Sequence, residues 1–183
     1  MGRLEKVLAA IDVYNQKDPH GREFPYSEKL SGWVLRLNPA PGEALKIAAR
    51  GQHIGRWTIP RQSYPMDRGG YLRWREDMKR FHAKTVGDIM AKEGYAETEI
   101  EPVRQIILKK NFQTNPDAQT IEDALCLVFL EIQFEELRQK TPDPIMMDII
   151  KKTWNKMSAK GKEAALAMDL PADHLALIQK ALA

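Results

Sequence analysis

The chain has 183 residues, enough for one domain, and 43% of them are hydrophobic, enough to build a core. No apolar run is long enough to cross a bilayer, and a net charge of +3 is too small to indicate nucleic-acid binding by itself. The charge is uneven: Arg50 to Lys84 holds nine basic residues against three acidic ones, net +6, which leaves −3 for the remainder.

Leu4, Val7, Leu8 and Ile11 recur at helical spacing and predict a first helix ending near Asn15. Its start carries no signal-peptide core, and Lys6 stands where myristoylation favours Ser or Thr. After the turn Asp18-Pro19-His20-Gly21, a second helix follows Pro25 and stops before Asn38-Pro39. Pro41-Gly42-Glu43 opens a third, reaching about His53. Gly55 to Asp67, with Pro60 and Pro65, reads as irregular. Asp67 is the predicted N-cap of a long helix to about Glu93, ended by Gly94.

Ile100, Val103, Ile107 and Leu108 mark the next helix. Asn111 to Asp117 reads as a loop, and Ile121 to about Gln139 as the most apolar helix. Ile145, Ile149 and Trp154 outline another, and two short helices close the chain near Ala164–Ala167 and Ala172–Leu182. Cys126, the only cysteine, sits in the apolar run Ala124 to Leu130 and is expected in the core. The expectation is an all-α, irregular single-domain bundle over residues 1–183, with its core at about 22–130 and helices from 141–183 packed on it. The chain is expected to be soluble and cytoplasmic, with no membrane partner.

Candidate chemistry lies in the basic segment. Arg68, Tyr71, Arg75, Met78, His82, Val86 and Ile89 form one helical stripe that passes from apolar to basic and aromatic, as a pocket wall does. Arg56, Arg61 and Tyr64 come from the preceding loop. Converging guanidinium groups suit phosphate or carboxylate. Arg73, Lys79 and Arg80 read as a solvated face. His53, His82 and Asp123 come from three predicted helices and together make a candidate metal set with open positions.

His53-Ile54-Gly55-Arg56 and Lys156-Met157-Ser158-Ala159-Lys160 resemble the two signature motifs of class I aminoacyl-tRNA synthetases. Those motifs hold ATP from loops that follow strands, and no strand–turn–helix context surrounds His53, so the expectation is that the chain is not a synthetase. Ser158 reads instead as an N-cap.

A second likeness is to the HD-domain superfamily of helical, metal-dependent phosphohydrolases. Tyr26-Ser27-Glu28-Lys29-Leu30-Ser31-Gly32-Trp33 resembles its first motif, with Tyr26 in place of a histidine. Ala48 to Gly55 resembles the helix bearing the His-Asp pair, with Gln52 and His53 in those positions. His82 to Met90 resembles an additional His motif, and Glu122-Asp123-Ala124-Leu125 the final aspartate segment. Gln52-His53-Ile54-Gly55-Arg56-Trp57, Ser63-Tyr64-Pro65-Met66, Phe81-His82-Ala83 and Glu122 to Glu131 also resemble an uncharacterised family often labelled glutamyl-tRNA synthetase-like.

The HD resemblance implies a hydrolase or related enzyme acting on a phosphorylated or other anionic small molecule, a nucleotide among the candidates. In that expectation His53 and His82 are catalytic. Arg56, Arg61, Tyr64, Arg68, Tyr71, Trp74, Arg75, Gln52 and Tyr26 bind substrate, and His53, His82 and Asp123 hold a divalent metal of open identity. A metal-free pocket with a histidine base is the other form of the same expectation. The alternative is a non-catalytic RNA- or nucleotide-binding protein, because Trp57, Tyr64, Tyr71 and Trp74 interleave with basic residues.

Overall fold

The computed structural model describes residues 1–182 and opens with α1 (Arg3–Asn15) and α2 (Glu23–Leu37). Val7 and Ile11 are fully buried on one face of α1, and α2 turns Leu30, Trp33, Val34 and Leu37 inward. α2 begins two residues before Pro25, because proline is tolerated in a first turn where its missing N–H has no helical partner. α3 (Glu43–Gly51) buries Leu45, Ile47, Ala48 and Ala49 and packs on α1 and α2.

Two 3-10 turns, Arg56–Thr58 and Arg61–Ser63, occupy the expected irregular stretch and lead into α4 (Arg68–Lys92). Asp67 caps α4 as expected, its side chain accepting from the Gly70 N–H at 2.6 Å. Gly51 brings α3 against α4: a Cβ there would lie 2.3 Å from a Val86 methyl. α5 (Glu97–Leu108) packs along α4 and α3.

The apolar segment expected as one helix is three pieces. α6 (Pro116–Val128), capped by Asn115, runs into a π-helical turn (Phe129–Gln133) and then α7 (Phe134–Lys140). The π turn leaves Leu130 and Phe134 buried while Glu131 reaches outward to Lys29 and Trp33. α8 (Asp143–Lys156) faces the core one residue later than its predicted face: Met146 and Ile150 are buried, whereas Ile145 is 55% exposed. Met146 and Ile150 take the inward positions next to Ile145 and Ile149, the flexible methionine filling the first of them.

α9 (Ala159–Leu166), capped by Ser158, and α10 (Ala172–Leu182) complete the bundle. One cluster of buried side chains runs from Val7 to Ala181, so the C-terminal helices share the core of the rest in a single domain. Among the described residues there is no strand and no helix long and apolar enough to cross a membrane; Ala183, the last residue of the expected domain, lies outside them. Cys126 is buried as expected, its thiol pKa pushed up to about 12 by burial.

Candidate functional site

α3 ends at Gly51 and the chain turns through residues 52–55, where Ile54 is fully buried and Gly55 adopts φ 67°. A side chain at Gly55 would be strained by that left-handed backbone and would also meet the rings of Phe81 and Tyr14 at 2.8 and 2.9 Å. The glycine of the synthetase-like His53-Ile54-Gly55-Arg56 run thus serves this tight turn.

The turn presents the Ile54 carbonyl to His82, whose Nδ1 lies 2.6 Å away. A carbonyl only accepts, so Nδ1 carries the proton and Nε2 is left with its lone pair. That Nε2 is buried and has no partner. Gln52 is arranged in the same way: its amide nitrogen donates to the Ile107 carbonyl at 3.2 Å, and its Oε1 is buried without a partner. Two buried acceptors are therefore held in place by main-chain carbonyls on their other sides.

Tyr26, buried on α2, stacks on His53 with ring centroids 4.5 Å apart and planes 17° apart. His53 is in turn 5.9 Å from the His82 ring. Burial pushes the His82 pKa down to about 4, with the Ile54 bond opposing and Arg56 reinforcing. His53 is half-buried by exposed surface, yet protein encloses its ring closely. Its pKa is driven well below the ordinary value by lost hydration, then by Arg56, His82, Lys109 and Arg75. Both rings are neutral near pH 7.

Gln52, His53 and His82 line a cavity of about 50 Å³ together with Arg56, Arg75, Lys79, Lys109 and Met78, with Tyr26 stacked behind His53. Arg56 follows the Gly55 turn and lies over the Trp74 ring, 4.8 Å from its centroid, while the Trp74 indole donates to the Ile59 carbonyl at 2.9 Å. Arg75 and Lys79 sit one turn apart on α4. Lys109 enters from the end of α5 in the left-handed conformation, φ 56°, and pairs with Glu122 of α6 at 2.7 Å. Burial opposes the Glu122 charge, but Lys109, Lys156 and Arg75 outweigh it and hold its pKa below the usual range. Four cationic residues thus line a small space together with Gln52 and His82, each of which carries a buried acceptor without a partner.

Among the expected site residues, the structure brings together Tyr26, Gln52, His53, Arg56, Arg75 and His82, with Trp74 beneath Arg56. The others stand apart from the cavity. Arg61 donates to the Tyr64 and Asp67 carbonyls and braces its own loop, and Tyr64 donates to Asp77 at 2.8 Å. Arg68 is exposed and Tyr71 is 42% exposed, because the buried face of α4 runs through Gly70, Trp74, Met78 and His82. Lys79, expected on the solvated face, is half-buried and lines the cavity. Lys109 and Glu122 were not among the expected residues.

The expected metal set does not assemble. Asp123 accepts from the Ser158 N–H at 2.8 Å, the Ser158 hydroxyl at 2.5 Å and the Gln119 amide at 2.9 Å, so both oxygens are committed to the α6–α9 junction. The cavity lining holds two histidines among four cationic residues and no carboxylate, and Glu122, which reaches Lys109, is taken up by that ion pair. These donors do not fit a divalent cation. Among the described residues, the one trio of acidic and histidine ligand atoms within 4.8 Å of one another is Glu135, Asp173 and His174. It borders a larger cleft of about 740 Å³, and Arg138 already bridges Glu135 and Asp173 at 3.0 and 2.8 Å.

No curated protein and no solved structure matches the chain. A family match covers residues 5–178 and supplies no link to HD phosphohydrolases or to synthetases. The chain belongs to the family described as "Domain of unknown function (DUF4202)".

Proposed function

We propose that the cavity holds the phosphoryl group of a small anionic molecule and that the chain hydrolyses it, in the manner of an HD-like hydrolase working without a metal. The observation that carries this is the pairing of unpartnered His82 Nε2 and Gln52 Oε1 with four surrounding cations. The cations supply the charge that phosphoryl oxygens need, and Arg56 and Arg75 supply paired donors. The two acceptors suit the hydrogens of an attacking water. About 50 Å³ accepts a phosphoryl group and leaves a nucleoside or other remainder outside the cavity.

In the step envisaged, the water oxygen bonds to phosphorus as the bond to the leaving oxygen breaks. One water proton passes to His82 Nε2 and then to the leaving oxygen; the other stays on the new P–O–H group. A bound phosphomonoester monoanion beside the ring raises the His82 pKa from its low resting value toward the range of a useful base. His53, neutral for the same reasons, is the second proton carrier at the site.

Phosphate release from p-nitrophenyl phosphate and from mononucleotides tests this with His82→Asn, His53→Asn and Arg75→Met. Asparagine at 82 keeps a donor for the Ile54 carbonyl and removes the Nε2 base. Turnover in the parent that falls about a hundredfold or more in His82→Asn is the expected result. Equal turnover in all variants, or none in the parent, overturns it. An RNA partner has less support: Trp74 is buried beneath Arg56 and Tyr64 is tied to Asp77, which leaves Tyr71 as the open aromatic of α4.

A further inference from the structure

We infer that this cavity selects tetrahedral oxyanions that carry a proton, orthophosphate and phosphomonoester monoanions, and rejects fully deprotonated ones such as sulfate. The inference rests on the anion pocket proposed above and specifies its ligand class. Positive charge alone makes no such distinction, since Arg56, Arg75, Lys79 and Lys109 attract sulfate and phosphate alike.

The distinction comes from the two acceptors. His82 cannot turn its protonated nitrogen toward the ligand without giving up the Ile54 carbonyl, and Gln52 cannot flip its amide without giving up the Ile107 carbonyl. Both residues line the cavity, and in each the acceptor is the buried polar atom left without a protein partner, free to take a hydrogen from a ligand that seats against it. An oxyanion with no hydrogen sets its own lone pairs against them and leaves both acceptors buried and unsatisfied. Orthophosphate keeps at least one O–H through the neutral range and donates it. The same acceptors that hold the attacking water thereby hold the P–O–H of the product.

Such a mismatch, in a site whose buried polar groups are left unpaired, discriminates by large factors. Isothermal titration of the purified chain with phosphate, arsenate and sulfate at pH 7 and matched ionic strength tests it. Phosphate and arsenate, both protonated, are expected to bind at least about tenfold more tightly than sulfate. In His82→Asn, with folding checked by near-UV circular dichroism, that ratio is expected to fall toward one. Equal binding of phosphate and sulfate by the parent chain overturns the selectivity and leaves the anion pocket standing. Binding of none of the three overturns the pocket itself. A preference that survives in His82→Asn overturns the assignment of His82 as the selecting acceptor. The parent-chain comparison decides the selectivity even where the variant fails to fold.

Discussion

His82, midway along α4, donates through Nδ1 to the carbonyl of Ile54 in the turn after α3, at 2.6 Å. The contact joins two parts of the chain 28 residues apart and fixes which nitrogen of the ring is basic. It also ties the site to the core, because Ile54 is fully buried and the next residue holds the left-handed turn.

The neutral state of that ring has a consequence for acid stability. The folded chain holds the His82 pKa down at about 4, against 6.5 as the ordinary value. The unfolded chain therefore protonates first, and stability is lost as pH falls from about 6.5 to about 4, by up to about 3 kcal/mol for this group. His53 acts in the same direction. Glu23 opposes them: burial raises its pKa to about 7, so its contribution is lost as pH rises toward that value. Comparing the parent with His82→Asn isolates the ring. Urea unfolding at pH 7 and pH 5 should show a smaller loss in the variant; equal losses exclude His82 as a source.

Lys109 and Glu122 form a nearly enclosed ion pair, with side chains 15% and 8% exposed. Removing one partner leaves the other charge buried, which costs roughly 3–5 kcal/mol. Lys109→Met and Glu122→Leu should each be strongly destabilising, and the double variant well short of their sum. Additive losses in thermal unfolding would show that the pair is not coupled in solution.

Much of the helical framework was legible because caps and period are local. Asp67 and Gly94 bracket α4 as their chemistry predicts, and Val7, Ile11, Leu30 and Val34 face inward at the spacing that marks them. The site was less legible. Neighbouring positions on a helix lie about 100° apart, and in a run as apolar as α6 nothing local tells which of Glu122 and Asp123 meets Lys109. The choice is made by Lys109 and Ser158, which arrive from other elements. Lys109 itself carried no signal, since a lysine at a helix end ordinarily points to water, whereas here it has a left-handed backbone and pairs with Glu122 of α6. Trp74 displaced Tyr71 from the inner face of α4 by the same kind of non-local preference, a carbonyl at Ile59 that can take the indole N–H.

Asp123 should behave as a structural residue. Two accepted hydrogen bonds from Ser158 fasten the start of α9 to α6, a third comes from Gln119 one turn earlier on α6, and Gly161 packs directly on the carboxyl. Asp123→Ala is expected to destabilise the fold by about 2–3 kcal/mol, the range for losing bonds to a charged acceptor. Phosphate binding by the folded fraction should be unchanged. A selective loss of binding at full stability would return Asp123 to the site.

Gly55→Ala tests how far the turn controls the chemistry. The methyl group meets a left-handed backbone, φ 67°, and two aromatic rings at under 3 Å, so both strain and overpacking act. A cost of roughly 2–4 kcal/mol in unfolding free energy is expected from the two together. Relief requires the turn to shift, and any shift moves the Ile54 carbonyl away from His82. The ring is then free to rotate or to exchange tautomers, and its Nε2 loses its fixed role as acceptor. Nitrogen-15 NMR of the imidazole ring reads this directly: the parent should show one tautomer protonated at Nδ1, and the variant a mixture. A parent ring protonated at Nε2 would contradict the hydrogen bond on which the arrangement of the site depends.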